Sequence, residues 1–285
     1  MSLNDHDDFG GLHRDLLATG RTVGRRRLLT PVGGIGASFG ALQLMGCGGD
    51  SNPTSPSTTT GTTGTGTTGT GTTGGGAACA ARVPEETAGP FPGDGSNGPN
   101  VLPLTGAVRS DIRSSFAGMG GTADGVALTI ALTIVSSSTC APLAGRAVYI
   151  WHCDRLGRYS LYNSGVTSQN YLRGVQEADG NGRVVFTSIF PACYAGRWPH
   201  IHFEVYPTLA AAQSVTNKVA TSQIALPKAS CDEVYATAGY EQSVRNLSQV
   251  SLASDNVFSD GASLELATMT GSVDGGYTAA LTVAV

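Results

Sequence analysis

The sequence predicts an all-β fold, an antiparallel β-sandwich with long loops and at most a short helix. Two observations carry this. Past residue 77, short runs alternate apolar with small or polar residues, the period-two pattern of a half-buried strand. Turn-forming residues interrupt those runs at short intervals, as in sandwiches built from many short strands. In chain order, strands are expected at 126–135, 147–151, 183–190, 200–206 and 277–285. Asp179-Gly180-Asn181-Gly182 leads into the third as a hairpin-turn signal. One helix is expected near 232–237.

Three stretches divide the chain. Arg25-Arg26-Arg27 followed by an apolar run to Met45 has the layout of an export signal. The arginines at its head resemble a twin-arginine signal. Leu44-Met45-Gly46-Cys47 resembles a lipobox, in which Cys47 becomes the acylated first residue of the mature protein. Residues 1–47 are therefore expected to be a leader. Residues 48–78 are expected to be a tether, since 51–76 are almost only Ser, Thr, Gly and Pro and cannot bury enough apolar surface to order themselves. Such a tether spans on the order of 30 Å. Residues 79–285 form the expected globular domain, exported and held to a membrane through lipidated Cys47. Without the leader, 12 basic and 17 acidic side chains remain, with no basic stripe, which excludes nucleic acid as a partner. No long apolar segment follows residue 47, so no further membrane span is expected.

Five cysteines follow the lipobox: Cys79, Cys140, Cys153, Cys193 and Cys231. An oxidising compartment permits disulfides, and the odd number leaves at least one thiol outside any intrachain pairing. There is no Cys-x-x-Cys pair of the kind a thiolate zinc site uses.

The chemistry concentrates elsewhere. After the leader the chain has three histidines: His152, His200 and His202. His200 and His202 are two apart on an expected strand, so both rings face one side and can reach one metal. Arg197 stands three residues before His200, and Tyr194 three before that. Tyr159 follows the strand ending at Trp151. His152, next to Trp151, points to the opposite face and reads as structural. Two phenolates with two imidazoles form a hard, oxygen-rich donor set that favours non-haem ferric iron over zinc or copper(I). The phenolates neutralise two of the three charges and stabilise Fe(III) over Fe(II). A site so built suits a second dianionic oxygen chelate, a catecholate.

Gly145-Arg-Ala-Val-Tyr-Ile-Trp-His-Cys-Asp154, Gly157-Arg-Tyr159, Phe186-Thr-Ser-Ile-Phe-Pro191, Tyr194 and Arg197-Trp-Pro-His-Ile-His-Phe203 resemble the intradiol ring-cleavage dioxygenases, the family of the protocatechuate 3,4- and catechol 1,2-dioxygenases. The resemblance runs from about Pro84 to the C-terminus and is greatest to a single-domain, exported branch. It implies Fe(III)-dependent cleavage of a catechol-type ring by O2 to a cis,cis-muconate-type product. It implies Tyr159 and His200 as equatorial ligands and Tyr194 and His202 as axial ones, with Tyr194 also accepting a substrate proton. Arg197 matches the arginine that stabilises developing charge. Thr87-Ala88-Gly89-Pro90-Phe91 resembles the segment that lines the substrate pocket, which would put Gly89, Pro90 and Phe91 there, with Trp198 as a further wall. Relatives often assemble through their sandwich faces, so a homo-oligomer is compatible with the resemblance. This chain departs from the family at Cys193, where relatives often carry Pro or Trp, and in the short Tyr194–His200 spacing, which implies a more open pocket.

Two other functions are compatible with parts of the sequence. One is an inactive cell-surface sandwich that binds a catechol, a sugar or a protein partner; the presence of all four ligand types argues against it. The other is a copper oxidase, which needs a third His or a Met beside the pair. Arg173 is expected to pair with a surface acid, since buried arginine is uncommon.

Overall fold

The computed structural model describes residues 81–285. The leader expected over 1–47, Cys47, the tether over 48–78 and Cys79 lie outside the described residues. Eight strands, β1 Ala127–Val135, β2 Ala147–Trp151, β3 Arg173–Glu177, β4 Arg183–Ile189, β5 His200–Tyr206, β6 Ala220–Ala225, β7 Thr268–Ser272 and β8 Gly276–Ala284, form two four-stranded sheets. One has the order β4-β1-β8-β7 and the other β3-β2-β5-β6. All-β architecture is borne out. One pairing departs from a wholly antiparallel design: β8, the last strand, lies parallel to β1, with Leu128 opposite Tyr277. Joining the two ends of the domain side by side removes two edges that would otherwise stand open.

Period-two alternation places the site. Ile201, Phe203 and Val205 of β5, with Val148 and Ile150 of β2, enter the main core between the sheets, against Ile130, Leu132 and Phe186. Their neighbours His200, His202, Glu204 and Tyr206 face the other way, yet all are buried. A second apolar cluster covers that outer face, where Tyr149, Trp151 and Tyr206 of the sheet meet Tyr159, Tyr194, Ala192 and Val101 from loops. The sheet that carries the histidines is therefore buried on both faces, once by its partner sheet and once by irregular chain.

Three local expectations are corrected. Asp179–Gly182 forms its turn, with Gly182 N donating to Asp179 O at 2.9 Å. The strands it joins, β3 and β4, lie in different sheets, so it is a crossover and no hairpin. The helix expected at 232–237 is α1, Lys228–Tyr235, starting four residues earlier just after Pro227, whose fixed φ suits a helix start. A second helix, α2 Glu241–Leu247, was not anticipated; seven residues are too few to show a 3.6 period. Cys140 is disulfide-bonded, while Cys153, Cys193 and Cys231 are buried free thiols. No helix among the described residues is long and apolar enough to cross a membrane.

Candidate metal centre

Four side chains meet on the outer face of the β3-β2-β5-β6 sheet. His200 and His202 project from β5, with their Nε2 atoms 3.1 Å apart. Tyr194 Oη lies 3.1 Å from His200 Nε2. Tyr159 Oη lies 3.4 Å from His200 Nε2 and 3.2 Å from His202 Nε2. These four separations, 3.1–3.4 Å, are in the range of donor atoms that share one ion through bonds of about 2 Å. Among the described residues no group of three or more His, Cys, Asp or Glu side chains is placed to hold a metal. An ion held here must therefore take the phenol oxygens as donors.

The local chain fixes each donor. His200 Nδ1 donates to Trp198 O at 2.5 Å, which leaves the lone pair on Nε2. The His202 ring lies flat on Trp151, with centroids 4.9 Å apart and planes 4° apart, so stacking sets its orientation. Burial holds both imidazoles far below the usual histidine range, with the Arg197 charge adding to the effect, so both are neutral and able to ligate. Tyr159 N donates to Asn163 Oδ1 at 2.7 Å. The loop before it is wound on buried Asp154, whose carboxylate accepts from Leu156 N, Arg158 N, the Arg158 guanidinium and Tyr171 Oη. Gly157, at φ +82°, lies beside Tyr194, and an added Cβ would stand 3.1 Å from Tyr194 Cβ. A side chain there would push the two tyrosine loops apart. The Tyr194 loop is gripped by α2: Cys193 N donates to Ser243 Oγ at 3.0 Å, and Asn246 Nδ2 donates to Cys193 O at 2.8 Å.

Arg197 is fully buried. Its Nε donates to Asp255 Oδ2 at 3.0 Å and its Nη2 to Gln223 Oε1 at 2.7 Å. Asp255 also accepts from the amides of Trp198, Val257 and Phe258. Gln223 stands opposite His202 in the β5–β6 register and donates to Thr87 O at 2.9 Å. The expected pocket residues separate. Phe91 lies on the Tyr159 ring with centroids 5.1 Å apart, and Gly89 and Pro90 lead into it. The Trp198 indole instead enters the inter-sheet core and donates to Leu226 O at 2.9 Å. His152 is a structural histidine, bridging Cys153 O at 2.8 Å and Ser188 Oγ at 2.7 Å. Arg173 corrects the surface reading: it is buried and bonded to main-chain and hydroxyl oxygens. Asp255, Gln223, Ser243 and Asn246 were not singled out from the sequence. Each lies more than 20 residues from the ligands it supports, with no local motif to mark it.

A sandwich with this loop-covered face defines a class. Residues 97–212, which include both tyrosines, Arg197 and both histidines of the cluster, match the family model described as Dioxygenase. The solved intradiol ring-cleavage dioxygenase from Tetranychus urticae has the same fold, at 24% identity and a TM-score of 0.55, over 72% of this chain and 94% of that one. A second crystal structure titled as a dioxygenase matches at 24% identity and a TM-score of 0.57 over the same shares. No curated protein sequence matches the chain. The resemblance read from the motifs is thus borne out to this extent: residues 97–212 match the Dioxygenase family model, and the domain shares its fold with a solved intradiol ring-cleavage dioxygenase.

Asp255→Ala removes the carboxylate partner of a buried guanidinium and uncaps three amides, and should cost about 3–5 kcal/mol in urea unfolding; a loss under 1 kcal/mol would mean water replaces the pair. Glu265, buried with Oε2 unpartnered and Oε1 3.1 Å from Ser222 Oγ, has its carboxyl pushed up to about 8 by burial and by Glu86. Glu86 is pushed up to about 7 by burial and by Asp260. Both folded values exceed the ordinary 4.5, so the native state holds protons that the unfolded chain releases, and stability is lost as pH rises through 7–8. The buried histidines act in the opposite sense below about 6.5, where the unfolded chain takes up their protons. Unfolding free energy should therefore fall between pH 6.5 and 8.5 by on the order of 1 kcal/mol, and Glu265→Gln should flatten the slope. An unaltered slope in that variant would contradict the assignment.

Proposed function

We propose that this domain holds one Fe(III) through Tyr159, Tyr194, His200 and His202 and cleaves a catechol-type ring between its hydroxyls, incorporating both atoms of O2 to give a cis,cis-muconate-type product. The observation that carries this reading is the approach of both phenol oxygens and His202 Nε2 to within 3.1–3.4 Å of His200 Nε2, with Tyr159 Oη also 3.2 Å from His202 Nε2, in a buried site. The donor set suits ferric iron, being hard oxygen and imidazole without sulfur. When bound, the ion supplies Lewis acidity and a template for the two oxygens of the substrate.

The chain's own residues do the rest. Tyr194 sits on a loop held through Cys193, which fixes its backbone beside His200. It accepts the proton of an incoming hydroxyl, acting as general base. Arg197 places a fixed positive charge beside the site, and Asp255 and Gln223 hold it so that no reorganisation is needed when negative charge develops on the ring. Gly89, Pro90 and Phe91 wall the substrate side, with Phe91 against Tyr159. Trp198 contributes its carbonyl, which orients His200, and its indole anchors that turn in the core.

The reading extends to location. The order of arginine run, apolar run and Leu44-Met45-Gly46-Cys47 supports export and acylation of Cys47, with 48–78 as the spacer. Cys47→Ser should then shift the protein from the membrane fraction to the soluble fraction, and retention in membranes would remove the anchor.

Purified protein should contain one iron per chain and absorb visible light through tyrosinate-to-iron charge transfer. It should consume O2 with catechol. Tyr194→Phe should keep the fold and shift the absorption, with kcat lowered by roughly 10²–10⁴, the usual contribution of a general base. A colourless protein that takes up no O2 with catechol, protocatechuate or hydroxyquinol would end this reading.

A further inference from the structure

Strand register sets four site-side residues in one row. Arg173 on β3 is opposite Trp151 on β2, Trp151 opposite His202 on β5, and His202 opposite Gln223 on β6. The middle of the row is the Trp151–His202 stack. Its two ends reach over the face and hold the same short segment of chain. Gln223 Nε2 donates to Thr87 O at 2.9 Å. Arg173 Nη2 donates to Phe91 O at 2.9 Å, and its Nη1 to Pro92 O at 2.7 Å. Residues 87–92 thus cross the site as a strap tied at both ends, and Phe91 lies beneath it on Tyr159.

Arg173 also ties in the other side. Its Nε donates to Ser160 Oγ at 3.1 Å and its Nη2 to Ser160 O at 3.0 Å, one residue beyond Tyr159. Its Nη1 reaches Tyr149 Oη at 3.2 Å, and that hydroxyl donates to Pro92 O at 2.7 Å. One guanidinium therefore bonds the strap, the tyrosine loop and the sheet. A rigid fork with five donors can do this, while an ammonium with three cannot span the same acceptors. Gly93 leaves room for it: an added Cβ would stand 2.8 Å from Arg173 Nη1, at a φ of +66°.

We propose that Arg173 is a positioning residue for the pocket: it straps residues 87–92 across the site and fixes Phe91 against the Tyr159 ring, setting the wall on which a substrate ring lies. The catalytic part of this rests on the function proposed above; the strap itself does not.

The test is amide hydrogen exchange on the full chain, comparing wild type with Arg173→Lys and Gly93→Ala. Exchange over 87–93 should rise roughly tenfold or more in both variants, while β1 and β8 keep wild-type protection. With iron loaded and catechol as substrate, Arg173→Lys should raise KM roughly tenfold and leave kcat within about threefold, the signature of lost binding contacts. Unchanged exchange over 87–93 in the folded variants overturns the proposal. So does a rise spread equally over both sheets, which marks a general structural role. If Arg173→Lys does not fold, Gly93→Ala decides on the same peptide. If wild type binds no iron and consumes no O2, the functional reading falls, and the exchange result still decides the strap.

Discussion

The structure depends on one constraint: a strand face carrying two neutral imidazoles must be kept out of water by loops, since no second sheet covers it. His200 and His202 alternate with Ile201 and Phe203, so the same strand supplies a core to one side and donor atoms to the other. A bare sandwich would leave that donor side wet. Here loops from four parts of the chain cover it, bringing two phenol oxygens to 3.1–3.4 Å from the imidazole nitrogens. Burial disfavours protonated histidine, and the proposed ferric ion would draw the four donor atoms together.

Loops that cover such a face cannot rely on sheet hydrogen bonds, so they are tied by charged and amide side chains. Asp154 winds the Tyr159 loop, α2 clasps the Tyr194 loop, and two buried guanidiniums, Arg173 and Arg197, brace the flanks. Burying an arginine costs several kcal/mol of desolvation unless its donors are met. Arg197 meets this cost with a carboxylate and an amide. Arg173 meets it through neutral oxygens of the main chain, Ser160 and Tyr149. Its bonds depend on the strap being in place, which couples pocket geometry to the integrity of the sheet edge.

Much of this was legible in the sequence, and the reason is local periodicity. The strand at 200–206 alternates polar with apolar residues and the one at 147–151 is a short continuous apolar run, and both were located to the residue. The proposed donor residues were read from His-x-His, which fixes one face, and from the motif resemblance that carries the two tyrosines. What stayed hidden is what depends on distant chain. α2 is too short to show a period, β7 is exposed and rich in Thr and Gly, and the parallel β1–β8 pairing has no local signature. Asp255 and Gln223 carry no motif, and their roles appear only when Arg197 has folded between them. Arg173 was misjudged because frequency favours surface arginine, while its position on β3, opposite Trp151, gives it the acceptors that burial demands.

The most direct test of the central claim is X-ray absorption at the iron edge of the purified, iron-loaded protein. Two phenol oxygens and two imidazole nitrogens around one ion predict a nitrogen and oxygen shell near ~2.0–2.1 Å and no sulfur. Three buried free thiols, Cys153, Cys193 and Cys231, provide the contrary outcome. A shell near ~2.3 Å would mark thiolate ligation and contradict the account.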